Sequence, residues 1–112
     1  MDADELLRLR NLLQKRAIKL QLDDAYKRKL WYLVESLARQ ALELDPCWFE
    51  AAVLLQAACI EIAAHHAEHE LWAAVEMKYV KPETALENVR GSVLAARDAN
   101  RLVRQLADVQ AM

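Results

Sequence analysis

Three histidines, His65, His66 and His69, form the only concentration of metal-capable side chains in the sequence. Glu61, His65 and His69 recur every four residues, which on a helix sets two imidazoles and a carboxylate along one face. Such donors suit a transition metal. The di-iron bundle pattern, however, needs Glu-x-x-His, which is absent here, and HHAEH lacks the glutamate that follows the first histidine of a metalloprotease helix. The plainer reading is a solvated polar face, and a complete metal site would need ligands from another helix or a second subunit. A transition metal on Glu61, His65 and His69 is the one cofactor the sequence allows; otherwise none is expected.

Cys47 follows Pro46 at an expected helix start, where free backbone amides favour a thiolate. With no histidine near it in sequence, it reads better as a small buried thiol beside Trp48 and Phe49. Cys59 lies inside an apolar run and reads as core. Lys27, Arg28 and Lys29 precede Trp31 and Tyr32, a mixture found on nucleic-acid surfaces. The chain as a whole is acidic, with a net charge of -2, so a solvated helix end is preferred and nucleic acid is not expected as a partner. One glycine, Gly91, cannot build a phosphate-binding loop. No catalytic set emerges, and enzymatic activity is not expected.

These residues must be positioned by helices. One glycine and two prolines give too little punctuation for strands and hairpins, while 55% hydrophobic and 29% charged residues allow a packed, soluble core. Leu6, Leu9, Leu13, Ala17 and Leu20 repeat at helical spacing behind Asp2 or Asp4, predicting one buried stripe. Asp23 and Asp24 offer a cap for a second helix with a stripe through Leu30, Leu33, Val34, Leu37, Ala41 and Leu44, although no glycine marks the join. Asp45-Pro46 predicts the start of a third helix. That helix is apolar on nearly every face from Ala51 to Ile62, as a central element should be, and a run from Pro46 to Val80 is long enough to allow a kink or a register shift near the histidines, although every residue there is helix-compatible. Pro82 ends it, and Thr84 with Glu87 spells a capping box for the last helix.

The stretch Ala41 to Ala52, ALELDPCWFEAA, resembles the junction between consecutive tetratricopeptide repeats. The 34-residue period does not recur, and the glycine and tyrosine positions of the preceding repeat fall on Leu22 and Ala25. The resemblance implies a shared helix–turn–helix solution and no more. Charge alternates along the chain: residues 1–40 carry +3, residues 41–76 carry -7 and residues 77–112 carry +2. Neighbouring helices would therefore attract weakly.

The expected fold is all-α, an antiparallel bundle of three to four helices making a single domain over residues 1–112. Acidic residues at the N-terminus and no apolar run of the roughly 20 residues a bilayer needs point to a cytoplasmic protein without a membrane partner. The last helix carries Val93, Asn100 and Val103 on one apolar seam, with Ala95, Ala99, Leu102 and Leu106 on an overlapping one. A polar residue on such a seam often fixes register or partner number. Asn100, Val93, Val103, Trp72 and Tyr79 are the candidate interface. The function expected is a protein-interaction module, an adaptor, assembly factor or chaperone-like subunit, binding a protein partner or itself as a homo-oligomer.

Overall fold

The computed structural model describes residues 2–77, 83, 84, 87 and 89–112. Among them are four long helices and no strand: α1 (Ala3–Lys27), α2 (Trp31–Leu44), α3 (Phe49–Met77) and α4 (Arg90–Ala111). Each packs on its neighbour in the chain, α1 on α2, α2 on α3 and α3 on α4. Contacts between neighbours come in opposite order along their helices. Tyr26 and Lys15 of α1 meet Trp31 and Asp45, at the start and end of α2. Tyr32 and Glu35 of α2 meet His66 and Cys59 of α3, and His66 and Gln56 of α3 meet Ser92 and Asn100 of α4. The all-α bundle expected from periodicity is present.

The core runs through all four helices: Leu22 and Ala25 of α1, Val34, Leu37 and Ala38 of α2, Leu55, Ala58 and Cys59 of α3, and Ala99 of α4. Small residues dominate it, and the largest fully buried side chains are Val34 and Cys59. The central role expected of α3 holds, with Ala51, Ala52, Leu55, Ala58, Cys59 and Ile62 all buried. Its helix continues unbroken past the histidines to Met77, because every residue there is compatible with the helical backbone.

The expected stripe of α1 is not buried. Leu6, Leu9, Leu13 and Leu20 are 54%, 47%, 56% and 73% exposed, and Ala17 is exposed with them. The packed face is the opposite one, through Ile18, Leu22 and Ala25. Length explains part of this. At about 1.5 Å per residue α1 is roughly 37 Å long and α2 roughly 21 Å, so α1 overhangs its neighbour. Residues 2–13 are exposed on every side, and burial begins only at Gln14 and Lys15. The molecule is accordingly elongated, 67 × 30 × 22 Å, with a radius of gyration of 17.9 Å against about 13 Å for a compact domain near this size.

The turns also differ from expectation. Asp2 caps α1 by accepting from the Glu5 amide at 2.8 Å. Asp23 and Asp24 do not start a second helix: α1 runs through them, and Asp24 pairs with Arg28 at 3.7 Å. The join follows at Lys29, in the left-handed region with φ 57°, where the Lys29 amide donates to Tyr26 O and the Leu30 amide to Ala25 O. This is a Schellman ending with lysine where glycine is usual. Asp45 does not cap α3 either. It is extended, as a residue before proline must be, and opens a turn in which the Trp48 amide donates to its carbonyl and the Cys47 amide to its Oδ1. Thus α3 begins three residues later than Pro46 predicts. Thr84 is itself helical, and α4 starts after Val89 without a side-chain cap. Pro82 lies outside the described residues.

Lys15 fastens α1 to that turn, donating to Asp45 Oδ2 at 2.8 Å while its Nζ stands 4.8 Å from the centre of the Trp48 ring. The Lys15 hydrogen bond holds the Asp45 carboxyl below its ordinary value of 3.8, helped by the Cys47 amide and opposed by partial burial. The stabilisation this supplies is complete above pH 3.8 and fades as pH falls through the lower folded-state value. Asp45→Asn should cost about 1 kcal/mol or less at neutral pH, with the gap from wild type closing in strong acid, as read by urea unfolding at each pH. Lys29→Gly relieves the left-handed strain and should raise stability by about 0.5–1 kcal/mol, read as a higher thermal midpoint.

Candidate functional site

The α1–α2 turn and the first turn of α2 lean over the second half of α3 and leave a cleft of about 630 Å³ between them. Trp31, Leu33 and Ile62 give it apolar walls, with Lys29 on one rim and Glu61, His65 and Glu68 on the other. Trp31 is held by an edge-to-face contact with Tyr26, ring centroids 5.7 Å apart, and packs against the core. The fold therefore brings the basic-aromatic segment and the histidine cluster to one place, Tyr32 and His66 being 34 residues apart in sequence. A cleft of this volume and mixed lining is of the size that takes a small ligand or a short peptide segment.

His66 does something different from its neighbours. Its Nε2 lies 2.8 Å from Tyr32 Oη and its Nδ1 2.6 Å from Ser92 Oγ, so one imidazole ties α2, α3 and α4 together. The order serine, histidine, third group has the form of a nucleophile and its base. Here the third group is a phenol, which lacks the fixed negative charge that holds an imidazolium in a hydrolase triad. Both hydroxyls can donate or accept, so the imidazole is satisfied in either tautomer. The arrangement serves as a polar tie. Sequence reasoning grouped His66 with the solvated face and did not single out Ser92; nothing in their spacing says that position 66 meets position 92.

Glu61, His65 and His69 are all exposed along α3, with His65 and Glu61 at the cleft. Among the described residues no three His, Cys, Asp or Glu side chains gather around a common point. Of the candidate interface residues, Trp72 is 61% and Val93 51% exposed, and Val103 is half-buried. Asn100 is half-buried and accepts from Gln56 Nε2 at 2.6 Å, a bond that sets the register of α4 against α3 within the chain. Tyr79 lies outside the described residues. The packed seam of α4 is the one through Ala99 and Leu106. No described helix is long and apolar enough to cross a membrane.

The two cysteines have opposite surroundings. Cys47 is exposed in the turn before α3, not buried as its neighbours Trp48 and Phe49 led one to expect; the extended Asp45 and the turn after it carry the thiol outward. Cys59 is buried, with its Sγ donating to Glu35 Oε2 at 3.6 Å. Burial pushes the Cys59 thiol up to about 11, and the nearby Glu35 carboxylate adds to the shift. Compared with known protein families, curated proteins and solved structures, the chain matches none.

Thiol titration of the native protein near neutral pH should therefore label Cys47 promptly and leave Cys59 unmodified until denaturant is added. Prompt labelling of both would show that the core around Cys59 opens readily.

Proposed function

We propose that this protein is a small protein-interaction module, an adaptor, assembly factor or chaperone-like subunit that associates with itself or with another protein. One observation carries this reading: a row of leucines faces water along α1 while the core beneath is closed with alanines. Isolated exposed leucines are ordinary, but a contiguous row at helical spacing is the mark of a surface that meets another. The cleft beside Trp31 supplies a second surface, apolar with a charged rim, suited to a short segment of a partner. Trp72 and Val93 add exposed apolar area.

A metal-binding bundle is the second reading. It is favoured by the shared exposure of Glu61, His65 and His69, which leaves their face open to a ligand from a second copy.

Native mass spectrometry of protein purified without chelator separates the two, run beside a His65→Ala/His69→Ala variant. The interaction reading expects a protein-only complex, two or more polypeptides with no metal mass, unchanged in the variant. A stoichiometric metal that the variant lacks would overturn it.

A further inference from the structure

We infer that α1 is a dimerisation arm: its outward leucine face pairs with the same face of a second copy of this chain, the two helices crossing in opposite directions. This rests on the interaction reading and names its partner and surface.

The first ground is that residues 2–13 are all exposed, with burial beginning only at Gln14 and Lys15. A helix of about twelve residues is marginal alone in water, and this one carries Leu6, Leu9, Leu12 and Leu13 exposed. Leu6, Leu9 and Leu13 follow the three-then-four spacing of a coiled-coil seam, and Leu20 continues it one heptad later. That seam lies opposite the face that packs on α2, so a second helix can cover it without disturbing the bundle.

Charge decides what covers it. Glu5 flanks the N-terminal end of the seam, and Arg16, at the seam position between Leu13 and Leu20, marks its C-terminal part, both exposed. Two copies laid parallel would set Glu5 against Glu5 and Arg16 against Arg16. Two copies laid in opposite directions, crossing near Leu9 and Leu13, set each Glu5 against the other copy's Arg16, while Lys19 is engaged by Glu50 of its own chain at 3.8 Å. A single two-fold axis generates the Glu5–Arg16 pair twice, so these charges are self-complementary, the condition for a closed dimer. The seam from Leu6 to Leu20 spans roughly 21 Å. A contact of that length stands at the small end of specific interfaces, so a micromolar dimer is expected.

The test is sedimentation equilibrium, up to about 100 µM protein, of wild type and four variants, with circular dichroism confirming that each keeps its helices. Wild type is expected to be a dimer, and Leu9→Glu/Leu13→Glu, which touches no core residue, to be weakened at least about 100-fold. Glu5→Lys and Arg16→Glu should each weaken the dimer roughly tenfold, and the double variant Glu5→Lys/Arg16→Glu should restore it. A monomeric wild type overturns the pairing. An oligomer that survives Leu9→Glu/Leu13→Glu also overturns it while leaving the interaction reading intact, since association then uses another surface. A dimer indifferent to the charge reversals overturns the opposed orientation. Failure of the interaction reading itself would be read separately, from a metal lost with His65 and His69.

Discussion

The small side chains along α3 govern the rest of the structure. Ala51, Ala52 and Ala58 are fully buried there, with Ala38 and Ala41 of α2 buried as deeply and Ala99 nearly so on α4. Alanine lets helices approach closely and costs no rotamer entropy, but each one removes little apolar surface from water compared with a leucine. A core built this way is closed by geometry more than by mass. It has room for a few large aliphatic side chains, Leu22, Leu37, Leu55 and Ile62 among them, while Leu6, Leu9, Leu12, Leu13 and Leu20 lie outside, most of them where α1 overhangs its neighbour.

A lightly filled core also needs other means of fixing register, because alanine seams slide more easily than interlocking leucines. Polar contacts at the helix boundaries supply them. Gln56–Asn100 sets α4 on α3, Tyr32–His66–Ser92 spans three helices, and Lys15 joins α1 to Asp45 and Trp48. None is deeply buried, and no buried side-chain nitrogen or oxygen among the described residues lacks a partner. They therefore incur little desolvation cost, and each contributes modestly to stability while discriminating strongly between alignments.

Much of the fold was legible in the sequence because helical spacing and sparse glycine and proline leave few alternatives. The all-α class, the central place of α3 and the buried Cys59 follow from apolar periodicity. What periodicity could not say is which of two apolar faces turns inward. On α1 the face through Leu6, Leu9 and Leu13 is more apolar than the one through Ile18, Leu22 and Ala25, yet the second packs. The choice belongs to α2, whose length and small residues determine how far along α1 a partner is present. The turns were misread for a related reason. Lysine at a left-handed position carries no glycine signal, and Asp-Pro serves a helix cap and a turn equally well. At the candidate site the histidine cluster was visible, but its phase against α2 and α4 was not, so His66 was not told apart from His65 and His69.

The two faces of α1 divide the helix by position as well as by side. Its C-terminal half, from Lys15 onward, is anchored by the ion pair, the Trp48 ring and the Leu22–Ala25 contacts. Its N-terminal half has the Asp2 cap and the propagation of an already nucleated helix. Because nucleation is the costly step, an anchored half lowers the cost of extending the other into solvent, and the leucines are thereby presented in fixed helical register. A free peptide of the same residues would have to supply that ordering at the moment of binding, with a corresponding loss of affinity. The overhang is thus a preorganised surface, and the bundle behind it is what makes it one.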